Sequence, residues 1–149
     1  DIIARWREIG AQIIHVRHSS TNPESKLHES HKGFGFNPLC APQDGELIIT
    51  KSVNSCFIGT DLKQILDAQK SETLVIIGLT TDHCVSTTTR MAGNFGFDTY
   101  VISDATATFD KIGIKGASYA SDLIHDTALA SLKDEFATVI SSDALFQII

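Results

Sequence analysis

Cysteine, proline, methionine and tryptophan are all scarce in this chain, with three, three, one and one among 149 residues. Cys40, Cys56 and Cys84 are too few and too irregularly spaced for a disulfide framework, and no two of them have metal-ligand spacing, so a reducing, cytoplasmic setting is expected. No apolar run approaches the roughly 20 residues of a membrane-spanning helix. The opening Ile2-Ile3-Ala4-Arg5-Trp6 is too short and too soon interrupted by charge to serve as a targeting segment. Basic charge is also lacking: the net charge is −6 and no basic stripe alternates with aromatics, which argues against nucleic acid as a partner. No Gly-x-Gly-x-x-Gly follows a strand pattern, so a dinucleotide-binding domain is a remote reading. Repeats, linkers and low-complexity segments are absent too.

What is present is an ordinary globular composition, 42% apolar and 20% charged, on a chain long enough to bury roughly 70% of its unfolded surface. A single domain is expected over 1–149. A short helix fills 1–10, with Ile2, Ile3, Trp6 and Ile9 on one face and Gly10 suited to its C-terminal cap. A β-branched strand follows at 12–17. The segment 18–44, rich in Ser, Asn, Pro and Gly with no sustained period, is a loop well beyond the usual length, and such loops tend to be functional. A strand at 46–50 ends at Lys51, and Thr60 caps a helix running to Lys70. Residues 73–77 form an uninterrupted apolar strand, expected to be buried on both faces. A helix at 83–94, a strand at 97–103, a loop at 104–116, a helix at 117–134, a strand at 136–140 and a short helix from Ser142 or Asp143 complete the chain. Strand and helix alternating at this spacing imply an α/β domain of three layers, α/β/α, with a mostly parallel sheet.

The chain is organised around 71–109. Within it Val75-Ile76-Ile77-Gly78-Leu79-Thr80-Thr81-Asp82-His83-Cys84-Val85 reads as a strand, an elbow and a helix N-terminus with a cysteine in the first turn. Cysteine is usually a buried, inert residue. Here, however, it stands at the carboxyl end of a central strand, where such folds bind ligands, and beside the unpaired N–H groups and positive dipole end of a helix, which favour a thiolate. Cys84 is therefore the expected nucleophile, whereas Cys40 and Cys56 read as packing residues. His83 is next to Cys84 on a helix and points about 100° away from it, so it reads as pocket lining rather than as a base. Asp104 is expected to bond its own turn; Asp82 and Arg90 read as surface or capping charges.

The run from Gly78 to Arg90, the upstream Ile49-Thr50-Lys51-Ser52-Val53-Asn54-Ser55-Cys56-Phe57-Ile58-Gly59-Thr60-Asp61-Leu62 and the downstream Ser103-Asp104-Ala105-Thr106 resemble the isochorismatase-like cysteine hydrolases, a group of nicotinamidases, N-carbamoyl amide hydrolases and true isochorismatases. The resemblance covers nearly the whole chain, in the family's order. It implies a Rossmann-like sheet of order 3-2-1-4-5-6, of which strand 1, ahead of the opening helix, is not in this chain. It also implies that Lys51 is a catalytic lysine, that the Leu79-Thr80 peptide is cis, and that the N–H groups of Thr80 and Cys84 form an oxyanion hole. Phe57, Thr81 and His83 would face substrate. A catalytic aspartate would come from the absent first strand, so the sequence reads either as a piece of a longer polypeptide or as a degenerate member.

Nicotinamidases of this group bind a metal through Asp-x-His and further histidines. Here that stretch is Val16-Arg17-His18, with arginine in place of the first ligand, and His15, His28 and His31 nearby carry little weight, so no metal and no cofactor are expected. The implied activity is hydrolysis of a small amide, ureido or related acyl compound through a thioester. Alternatives are a vinyl-ether hydrolase, which needs no cysteine nucleophile, and a non-catalytic binding or assembly member. The partners implied are a small-molecule substrate and, because the family is usually oligomeric, further copies of the chain.

Overall fold

Helix α1 (Ile2–Glu8) ends in a Schellman motif: Gly10 takes a left-handed φ of +69°, its N–H bonds the carbonyl of Arg7, and the Ala11 N–H bonds that of Trp6. The computed structural model describes all 149 residues, which fall into two compact units, 1–63 and 64–149.

In the first unit β1 (Ile14–His18) and β2 (Leu47–Lys51) pair in parallel, from Ile14 opposite Leu47 to His18 opposite Lys51. The loop between them is organised by its own polar side chains. Asn22, Ser25 and Asn37 each accept the backbone N–H two residues on, the local bonding that these residues favour in turns. Arg17 fastens the loop to the strands, because its Nε donates to Thr50 Oγ1 at 3.0 Å while its guanidinium lies 4.2 Å from the Phe34 ring centre.

Glu46 is the electrostatic hub of this unit. Its two oxygens take Arg7 Nε at 2.7 Å and Arg7 Nη2 at 2.9 Å, and it also bonds His15 Nε2 and the Gln43 N–H. The bonds from Arg7 and then Gln43 hold its carboxyl down to about 2. A folded value below the ordinary 4.5 means that the stabilisation is whole above pH 4.5 and is lost as pH falls towards 2. Glu46→Gln is therefore expected to lower the melting temperature at pH 7 and to flatten its fall between pH 4.5 and 2.5. Thermal melts of both proteins across that range check this.

Helix α2 (Leu62–Ala68) spans the boundary between the units, with Thr60 Oγ1 accepting the Leu62 N–H at its start. The second unit then runs through β3 (Thr73–Leu79), a π-helical turn (Thr81–Val85), α3 (Ser86–Asn94), β4 (Asp98–Ala107), β5 (Lys111–Ile112), β6 (Ser118–Tyr119), α4 (Ser121–Ala130), β7 (Thr138–Ile140) and α5 (Ser142–Phe146). Its main sheet is parallel with order β3-β4-β7, and β5 and β6 form an antiparallel hairpin. Val85, Val101, Leu129 and Ala137 form its core, with Ile76 and Val139 packed against them. The expected α/β class with mostly parallel strands is the one observed, and the two sheets carry the 3-2 and 4-5-6 portions of the expected order. No helix is long and apolar enough to cross a membrane.

Three expectations need correction. The helix assigned to 117–134 is only α4, because Ser118 and Tyr119 pair with Lys111 and Ile112 and Ala120 is extended. The loop at 104–116 consequently loses its front to a long β4 and its middle to β5. The strand at 73–77 is partly exposed rather than buried on both faces, since within its sheet β3 is bonded only by β4.

Candidate active site

The second unit supplies the elbow. At Gly78 the chain takes a φ of +122°, a conformation closed to most side chains. The next peptide, Leu79–Thr80, is cis. Between successive paired positions β3 advances two residues, from Ile76 to Gly78, while β4 advances five, from Val101 to Thr106, so β4 bulges where β3 ends. Thr80 is extended, and its carbonyl accepts N–H bonds from both His83 at 3.1 Å and Val85 at 3.2 Å. This widens Thr81–Val85 into a π turn ahead of α3, where the sequence suggested a plain helix from 83. Cys84 is the fourth residue of that turn and is partly exposed. Val85 is 4% exposed in the core, which fixes the end of the turn. Thr88 and Thr89 are buried as well, so burial rather than helix propensity holds α3.

Side chains from later in the chain grip the turn. Thr81 is fully buried and its Oγ1 bonds His125 Nδ1 of α4 at 2.9 Å. Asp82 Oδ1 accepts Thr108 Oγ1 at 2.6 Å, and Oδ2 lies 2.6 Å from Lys111 Nζ. Burial pushes the Asp82 carboxyl up, but the bonds from Lys111 and Thr108 prevail and hold it at about 2. His83 is exposed, with Nε2 3.0 Å from Lys111 Nζ.

In the first unit Lys51 closes β2 and is 5% exposed. Its Nζ donates to the Val53 carbonyl at 2.9 Å and lies 3.4 Å from His18 Nδ1. Burial, and then the charge of Lys51, lowers the pKa of His18, so its neutral form is favoured beside the lysine. Phe57 is buried, and its N–H bonds Ser55 Oγ.

The isochorismatase domain model matches residues 1–144. The chain belongs to the isochorismatase family. It is 50% identical over 144 residues to the uncharacterised isochorismatase family protein YrdC of Bacillus subtilis, an alignment covering 97% of this chain and 77% of that protein. A solved isochorismatase-family structure from Chromobacterium violaceum superposes with a TM-score of 0.94 at 37% identity, covering 98% of this chain and 76% of that one. An amidohydrolase is among its relatives: maleamate amidohydrolase of Pseudomonas putida is 35% identical over 69 residues, 46% of this chain and 32% of that enzyme.

Within this isochorismatase-family chain, Thr80, Thr81, His83 and Cys84 share one elbow, and the cis peptide falls where the resemblance put it. Of the residues expected to face substrate, His83 is exposed, whereas the Thr81 and Phe57 side chains are buried. Arg17, at the place of a metal ligand, is engaged with Thr50 and Phe34. His28 bonds Ser30, and His31 bonds the Pro23 carbonyl. Asp104 bonds its own backbone N–H and, beyond what was expected, the Ser142 N–H at 2.7 Å and the Ser142 hydroxyl at the start of α5. Arg90 stacks over Phe136 and bonds Ser131, tying the end of α4 to α3. Asp82 with its partners Thr108 and Lys111, and the Thr81–His125 pair, were not legible beforehand. The one signal that could have drawn attention to Asp82 is its place two residues before Cys84 in the elbow.

Proposed function

We propose that this isochorismatase-family hydrolase cleaves a small amide, ureido or related acyl substrate with Cys84 as nucleophile. The observation that carries the reading is the partly exposed Cys84 on the turn that follows the cis Leu79–Thr80 elbow. The sulfur attacks the substrate carbonyl, and the thiol proton passes to a general base. The N–H groups of Thr80 and Cys84 are assigned to the oxyanion, the leaving amine takes the proton back, and water hydrolyses the thioester. Lys51 is assigned to the same reaction on the strength of its motif, and His83 to the substrate face because it is exposed. The likeness to a maleamate amidohydrolase supports the choice of bond.

The test is turnover of a panel of small primary amides, ureido acids and a vinyl ether by the wild type and by Cys84→Ala. Amide turnover that disappears with Cys84 supports the reading. Vinyl-ether turnover that survives Cys84→Ala, or no turnover at all by an intact wild-type protein, overturns it in favour of the vinyl-ether or the binding-module alternative.

A further inference from the structure

We infer that Asp82 is a positioning residue that sets the geometry of the Cys84 turn through its bonds to Thr108 and Lys111, an inference that rests on Cys84 being the nucleophile. An acid in the first turn of a helix ordinarily faces solvent and the helix N–H groups. Asp82 bonds its own N–H in that manner and does more. Its side chain is 17% exposed, its oxygens bond side chains 26 and 29 residues further on, each at 2.6 Å, and Oδ2 also lies 3.5 Å from His83 Nε2. The contacts to Thr108 and Lys111 are charge-assisted and short, the stronger kind of polar contact.

The backbone between Thr80 and Val85 is a π turn, a conformation that regular helix bonding does not favour and that tertiary contacts must impose. Val85 holds its end in the core and His125 holds Thr81 at its beginning. Between these anchors Asp82 ties the turn to the strand–hairpin junction through Thr108 and Lys111, and the exposed His83 adds a contact to the same Lys111 at 3.0 Å. Without it the turn is free to relax towards α-helical bonding, which rotates the following residues about the helix axis and carries Cys84 with them. A misplacement of about 1 Å at a reacting atom can cost roughly 100-fold in rate.

Asp82→Ala and Lys111→Met are the variants, with Lys111→Arg as the conservative control. Expected for Asp82→Ala is a fall in kcat of roughly 10-fold or more with KM changed less than about threefold, the signature of an interaction that matters in the transition state. Cys84 alkylation should change by a comparable factor while that of Cys40 stays constant, and the amides of 81–85 should exchange hydrogen roughly 10-fold faster. Lys111→Met should show the same pattern more weakly, and Lys111→Arg should restore it. A rise in KM alone would make the cluster a substrate contact, and a lower melting temperature with unchanged kcat, labelling and exchange in the folded protein would make it merely structural; either overturns the inference. Failure of the nucleophile reading is recognised separately, by Cys84→Ala retaining turnover, since the exchange and labelling data report on the turn whatever the reaction.

Discussion

Cys84→Ala is expected to lower kcat/KM for amide hydrolysis by roughly 10³-fold or more, because no acyl-enzyme can form without the sulfur. Its melting temperature should stay close to the wild type, since truncating a partly exposed cysteine falls outside the mechanisms that destabilise strongly. Cys84→Ser should fare little better, a hydroxyl being a far weaker nucleophile at neutral pH without a strong base beside it. Cys40→Ala and Cys56→Ala serve as controls and should retain activity. Steady-state kinetics with calorimetry on the four variants separate loss of chemistry from loss of fold. A Cys84→Ala protein that keeps more than a tenth of the wild-type rate would remove the nucleophile from the scheme.

Lys51→Met should lower kcat by roughly 100-fold or more, the size of effect found when one preorganised electrostatic group is removed from an active site. Methionine keeps the buried apolar stem but deletes the donor to the Val53 carbonyl, a loss of about 1–3 kcal/mol in stability. His18 provides an independent readout. Its pKa is lowered first by burial and second by the charge of Lys51, so in Lys51→Met it should move up towards 6.5 but stay below that value because burial persists. Titration of the His18 ring by NMR checks the sign. An unchanged His18 together with an unchanged kcat would mean that Lys51 is structural.

Features written in short-range chemistry were legible in the sequence. Gly10 announced the end of α1 because a left-handed residue after a helix is nearly always glycine. The β-branched runs marked both β2, closing at Lys51, and β3, leading into the elbow. The place of Cys84 followed from the strand-to-turn pattern, and the cis peptide from the resemblance. What escaped notice depended on partners far along the chain. Tyr119 belongs to a strand only because Lys111 lies opposite it, and this shortens α4 from its N-terminus. Asp104 looks like a turn residue until Ser142 arrives 38 positions later. Asp82 reads as a capping acid, and no local pattern reveals that Thr108 and Lys111 claim both its oxygens. Arg17 was expected only as the absence of a metal ligand, whereas its stacking on Phe34 gives it a part in ordering the long loop.

The central claim, that Cys84 carries the acyl group, is tested most directly by intact-mass and peptide analysis of the enzyme quenched in acid during turnover of its best amide substrate. A mass increase equal to the acyl portion, located on the peptide containing Cys84 and released by hydroxylamine, is the predicted result. Full turnover with no adduct at any quench time, in an enzyme whose Cys84 remains open to alkylation throughout, would contradict it.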